Sequence, residues 1–315
     1  MRPRIPQPPP PKRLFVFGLG YSALAFAARL KAKGWRVAGT CRSEDKRQAL
    51  ETQGITAFLF DRDRPLADAQ AALAGTTHLL SSVPPDGTGD PVIDHHAADI
   101  AALAAGARPG LRWAGYLSTT GVYGDRGGDW VDERSGLHPT SARGAARVTA
   151  ERAWLDLLRI GVPVHVFRLA GIYGPGRSAL DTVRSGAARR VVKPGQVFCR
   201  IHVADIAAVL EASIAKPNPG AAYNVCDDDP APPQDVIAYA CALLGRTPPP
   251  EIPYEQAASS MSDMARSFYL DSKRVANTRI KTELGVRLAY PDYRAGLKAL
   301  LNAPEMIPGS GIRRG

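Results

Sequence analysis

Long hydrophobic runs, cysteine clusters and blocks of like charge are all missing from this chain of 315 residues. No apolar run reaches the roughly 18 residues that a membrane-spanning helix needs. The first residues are basic and proline-rich, without the apolar stretch of a signal peptide. A cytoplasmic protein with no membrane role is the expectation. The four cysteines, Cys41, Cys199, Cys226 and Cys241, form no Cys-x-x-Cys and no Cys/His pair at ligand spacing. That argues against a zinc site and a disulfide framework and leaves reduced thiols as the simplest state. The net charge of +10 is spread along the chain and is not interleaved with aromatics. Such a charge implies nonspecific attraction to anions, and no specific nucleic-acid partner is expected.

What the sequence does have is alternation. After a proline-rich arm at 1–11, expected to be disordered, short apolar runs alternate with alanine-rich amphipathic stretches. That rhythm predicts an α/β fold in which helices cover both faces of a parallel sheet. Strands are predicted at Leu14–Phe17, Arg36–Gly39, Thr56–Phe60, His78–Ser82, Arg112–Ser118, Val164–Arg168 and Ala222–Val225. Helices are predicted at Ser22–Lys33, Leu66–Ala74, Pro91–Ala105, Ala142–Arg159 and Val203–Ala215. Beyond Cys226, prolines at Pro230, Pro232, Pro233 and Pro248 to Pro250 flank one helical stretch, Asp235–Leu244. The expected organisation is a doubly wound Rossmann domain from 12–170 plus 197–226, with a smaller C-terminal substrate domain from 171–196 plus 227–303. Residues 304–315 are expected to form a flexible tail.

The segment from Leu14 to Ala23 places Gly18-x-Gly20-x-x-Ala23 between a strand and a helix. The first glycine permits the turn and the second admits a pyrophosphate close to the backbone. The small Ala23 lets helix pack on strand. Tyr21 and Ser22 open the helix, whose free N–H groups and dipole favour an anion. An NAD site usually carries Asp or Glu about 20 residues further on. Here Thr40 stands at that position, followed by Arg42. Without the carboxylate, and with a guanidinium able to form paired charge-assisted bonds, NADP is favoured, with NAD the alternative.

These residues resemble the extended short-chain dehydrogenase/reductase superfamily, its NAD-dependent epimerase/dehydratase group. The resemblance extends over nearly all of the chain after the arm. It includes Asp61 at the end of the third strand, the family's adenine-binding carboxylate, and Ser81-Ser-Val83-Pro-Pro85 after the fourth. Ser118-Thr-Thr-Gly-Val-Tyr-Gly124, Arg168-Leu-Ala-Gly-Ile-Tyr-Gly-Pro175 and Arg200-Ile-His-Val-Ala-Asp205 follow in the family's order. The resemblance implies cofactor contacts from Asp61, Ser81 and Val83, and a hydroxyl near the reacting carbon from Thr119. It also implies dimerisation through the helix that bears the catalytic pair.

At that pair the chain departs from the family. Arg143 stands where Tyr belongs and Arg147 where Lys belongs. A guanidinium has almost no neutral form at neutral pH, so Arg143 cannot replace a phenol as acid or base. Residues four apart share a helical face, so both arginines are expected to reach one cleft. Arg147 would hold the nicotinamide ribose and Arg143 an anionic small-molecule substrate. Tyr123, His138, a substrate group or water would supply the missing acid, although Tyr123 also reads as packing. Two functions stay open: an atypical reductase or epimerase, and a non-catalytic NADP(H)-binding sensor or assembly protein. Asp94-His95-His96 is not read as a metal site, because adjacent helical side chains diverge by about 100°.

Overall fold

The computed structural model describes residues 12–106 and 110–302. The arm at 1–11 and the tail at 304–315, expected to be disordered and flexible, lie outside the described residues. The strands are β1 (Arg13–Phe17), β2 (Arg36–Cys41), β3 (Thr56–Leu59), β4 (His78–Ser81), β5 (Trp113–Thr119) and β6 (Trp130–Val131). They continue with β7 (Val164–Leu169), β8 (Gly171–Tyr173), β9 (Arg190–Val192), β10 (Arg200–His202), β11 (Ala222–Val225), β12 (Glu251–Pro253) and β13 (Arg274–Val275). Seven of them form one sheet in the order β11-β7-β5-β4-β1-β2-β3, with every neighbouring pair parallel. The order reverses at β1, and the crevice beyond the strand ends at that switch is where doubly wound sheets bind ligands. The short strands pair as β6 with β13, β8 with β10 and β9 with β12.

Parallel strands covered on both faces should be apolar at every position, not at alternate ones. In β1, Leu14 and Val16 enter one core while Phe15 and Phe17 enter the other. The first core is closed by α1 (Tyr21–Lys31) and α7 (Val203–Ala215), through Phe26, Ile206 and Leu210. The second is closed by α3 (Ala69–Leu73), α4 (Pro91–Ala105) and α5 (Ala142–Asp156), through Leu73, Ile100 and Trp154. The doubly wound Rossmann fold is therefore present as expected. The predicted last turns of α5 are instead a 3-10 turn, Leu157–Ile160, ended by Gly161 at φ 85°.

Several helices were not predicted, and the first of them shows why. α2 (Glu44–Glu51) buries only Leu50, so it carries no apolar stripe to read. It is held by local polar bonds: the Ser43 hydroxyl caps the Lys46 N–H, and Arg47 pairs with Glu44 and Glu51. A third, smaller core joins α6 (Ala179–Arg184), α8 (Pro233–Leu243) and the helix Tyr293–Asn302 through Leu180, Val236, Ala240 and Leu297. No helix among the described residues is long and apolar enough to cross a membrane.

Candidate functional site

The turn after β1 is built around Gly18, whose φ of +83° suits glycine and few other residues. A Cβ at Gly18 would lie 3.1 Å from Val83 Cγ2, so Val83 packs against the turn from the end of β4. The Gly18 N–H donates to Thr40 Oγ1 at 2.8 Å and the Leu19 N–H donates to Thr40 O at 2.8 Å. Thr40 is thus buried beneath the turn with its hydroxyl engaged. It ties β2 to the glycine loop and does not present itself to a ribose, which corrects the expectation drawn from its position.

Gly20 differs in kind. It caps α1 without any side-chain bond, and a Cβ there would meet only Ser82 Oγ, at 4.0 Å. The first helical bond reaches back from Leu24 N–H to Gly20 O, which leaves the amides of Tyr21, Ser22 and Ala23 outside that bonding. Ala23 is fully buried against the sheet, as its size predicts. Ser81 at the end of β4 is also buried, and its hydroxyl has no partner among the described residues.

At the end of β2 the charges separate into engaged and free. Arg47 is neutralised by its glutamates. Arg64 pairs with Asp61 at 2.7 Å and donates to Arg42 O at 2.7 Å. The carboxylate of Asp61, expected at an adenine, accepts from the Asp63 N–H on one oxygen and from Arg64 on the other. Arg42 is exposed, and among the described residues its guanidinium makes no hydrogen bond or ion pair. Among the described residues, Arg42 and Lys46 are the side-chain cations at this edge without a hydrogen bond or ion pair.

Beyond the end of β5 the expected pair does not converge. Arg143, second in α5, is exposed and unpaired among the described residues, whereas Arg147 is buried. Arg147 donates to Leu117 O and, at 3.3 Å, to Tyr116 OH, and its guanidinium lies 5.8 Å from the Tyr116 ring centroid. It clamps α5 to β5. Thr119 ends β5, half-buried, with Oγ1 accepting from the Gly121 N–H at 3.1 Å. Tyr123 is in the core: its hydroxyl donates to Asn224 Oδ1 at 2.7 Å and accepts from Arg168 at 2.9 Å. Burial pushes that phenol up to about 12. Tyr123 therefore fits packing and does not fit a tuned acid; His138 is exposed in the loop before α5.

Behind Thr119 runs a buried polar network absent from the sequence reading. Ser118 donates to Glu151, which also pairs with Arg168 at 2.8 Å, and Arg168 leads through Tyr123 to Asn224. Arg168 on β7 opens a segment quoted for the family resemblance, but nothing in the sequence shows that it meets Glu151 on α5. Asp94, His95 and His96 diverge: Asp94 pairs with Arg62, His95 meets Arg62 O, and His96 accepts from the Leu66 N–H.

A cavity of about 730 Å³ opens between α6, α8 and the helix Tyr293–Asn302. Arg177, Arg189 and Arg200 line it with Tyr173, Tyr269 and Tyr293. Arg200 donates to the carbonyls of Phe198 and Ala231 at 2.8 and 3.0 Å. Its neighbour Asp227 is buried, its Oδ2 has no partner among the described residues, and burial raises its carboxyl to about 8 despite the guanidinium. The cavity's own carboxylate, Asp181, is occupied by the Ser178 cap. The lining is therefore cationic.

The sheet order, the glycine turn at the switch point and the order of the later motifs agree with one another. The chain has the fold of NAD-dependent epimerase/dehydratase-like proteins and resembles the extended short-chain dehydrogenase/reductase superfamily. No family model matches the sequence. A solved structure of a conserved protein of unknown function from Silicibacter pomeroyi DSS is 52% identical, with a TM-score of 0.85, covering 94% of this chain and 100% of that one. Protein YeeZ of Escherichia coli K12 is 29% identical over 289 residues, 89% of this chain and 97% of that protein. The human epimerase family protein SDR39U1, solved with NADPH, shares the fold at 18% identity and a TM-score of 0.71, over 92% of this chain and 99% of that one.

Proposed function

We propose that this chain binds NADP(H) in preference to NAD(H) across the glycine turn and acts on a small anionic molecule as an atypical reductase or epimerase. The observation that carries this reading is the uncapped start of α1 at Gly20, open on its outer side, with Arg42 free at the end of the adjacent strand. A cradle of that shape fits a dinucleotide: the amides of Tyr21 and Ser22 would bind its pyrophosphate, and Arg42 with Lys46 its 2′-phosphate. The NADPH held by the human epimerase family protein supports the same choice of cofactor. When bound, the nicotinamide ring would supply or accept a hydride. The chain's own part is to hold and orient. The Thr119 hydroxyl, which accepts from the Gly121 N–H, still has its own proton to donate toward a substrate oxygen. Arg143, exposed at the start of α5, would anchor a carboxylate or phosphate.

A second reading is a cofactor-responsive sensor without turnover, favoured by the placement of Tyr123 and Arg147, which leaves no phenol or ammonium at the family's catalytic positions. A screen of carboxylated and phosphorylated carbonyl compounds with NADPH separates the two. Turnover lost in Arg143→Ala supports the enzyme. Binding without turnover, with activity appearing in Arg143→Tyr/Arg147→Lys, supports the sensor. Brisk turnover unchanged by Arg143→Ala contradicts the anion-anchor role.

A further inference from the structure

The start of α1 brings no charged side chain to its anion: residues 18 to 24 read Gly-Leu-Gly-Tyr-Ser-Ala-Leu. A helix terminus offers the equivalent of about half a positive charge, short of what a doubly charged pyrophosphate calls for. A cation comes from elsewhere in the fold. Tyr21, the first residue of α1, donates its hydroxyl to Pro175 O at 3.0 Å, so the segment after β8 lies over the helix start. Gly174 makes this approach possible, since a Cβ there would lie 2.5 Å from the Tyr21 hydroxyl. The Gly174 and Arg177 N–H groups donate to each other's carbonyls at 3.0 Å, closing the segment into a fixed loop.

That loop holds Arg177 with its guanidinium 5.8 Å from the centroid of the Tyr21 ring, a cation on an aromatic face. Arg177 is exposed, and among the described residues it has no carboxylate partner. Asp181, whose charge also acts on Tyr21, is bound by Ser178. Arg177 thus stands at the junction of the glycine turn and the cationic cavity, which it also lines. Resting on the dinucleotide reading above, we propose that Arg177 is a ligand of the cofactor's pyrophosphate, so that the loop opening the cavity also closes the cofactor site. Tyr21 acts as its positioning residue, through its ring and its bond to Pro175.

Calorimetric titration of three probes, NADPH, ADP-ribose and 2′-AMP, into the full chain and its Arg177→Gln, Arg177→Lys and Tyr21→Leu variants tests this. A lost charge-assisted contact should weaken NADPH and ADP-ribose by the same factor, about tenfold, and leave 2′-AMP, which has no pyrophosphate, within about twofold. Arg177→Lys should recover part of the loss, Tyr21→Leu should fall between, and the salt dependence of NADPH binding should become shallower in Arg177→Gln. Unchanged affinity for NADPH and ADP-ribose in Arg177→Gln overturns the proposal and leaves Arg177 to the cavity alone. Equal loss of all three probes also overturns it, because the contact is then not at the pyrophosphate. A wild type that binds none of them overturns the dinucleotide reading itself, and the Arg177 role with it.

Discussion

Arg42 and Gly20 are the two residues on which the account can be tested with least disturbance to the fold. Arg42 is exposed and unpaired among the described residues, so its removal breaks no internal bond. Arg42→Ala is expected to weaken NADP(H) by about tenfold and leave NAD(H) unchanged, as the loss of one charge-assisted contact implies. Equal losses for the two cofactors in a fluorescence titration would reject the assignment. The two glycines of the turn should part company. Gly20→Val adds a side chain into open space and is expected to abolish dinucleotide binding in a folded protein. Gly18→Val combines a φ of +83° with a Cβ 3.1 Å from Val83 and should lower the thermal midpoint as well. A Gly18→Val variant as stable as wild type would show that the turn is less constrained than its geometry indicates.

Among the elements, α5 matters most because three strands meet it through buried charge. Glu151 on α5 holds Ser118 of β5 and Arg168 of β7, and Arg168 reaches Asn224 of β11 through Tyr123. Glu151→Gln would leave the Arg168 guanidinium buried without its carboxylate. A loss of about 3–5 kcal/mol is expected in urea denaturation, with Glu151→Leu/Arg168→Leu recovering part of it. A loss below about 1 kcal/mol would mean that the network contributes little. This element also shows where sequence reading stops. Strands such as Ala222–Val225 and helices such as Pro91–Ala105 are readable to the residue because burial on the sheet imposes an apolar run or stripe. α2 escapes because its bonds are local and polar. At the site, the glycine turn is legible because backbone geometry demands glycine. The fates of Thr40, Tyr123 and Arg147 are not, because the direction of a side chain depends on neighbours distant in sequence. Their partners Gly18, Asn224 and Leu117 lie 22, 101 and 30 residues away.

The molecule as a whole should respond to acid through its buried histidines. His78, His165 and His202 are each depressed to about 4 from a usual 6.5, with burial the leading cause. Between those values the unfolded chain holds the extra protons, so stability should fall as pH drops from 6.5 to 4 and gain nothing from these groups above 6.5. Asp227 works in the opposite sense: its carboxyl stays protonated in the fold up to about 8, so its contribution fades as pH rises toward 8. Urea midpoints across pH 4 to 9 should therefore climb to near pH 6.5 and then decline gently. The decline should flatten in Asp227→Asn. A midpoint constant from pH 4 to 6.5 would contradict the neutral, buried state of the three histidines. The central claim is that a dinucleotide lies across the start of α1. Its most direct test is the enhancement of NADPH fluorescence on titration with wild type and Gly20→Val. Saturable binding by wild type, weaker for NADH, and none by a folded Gly20→Val are the predicted results. Wild type that leaves NADPH fluorescence unchanged, or a Gly20→Val that binds as tightly as wild type, would contradict it.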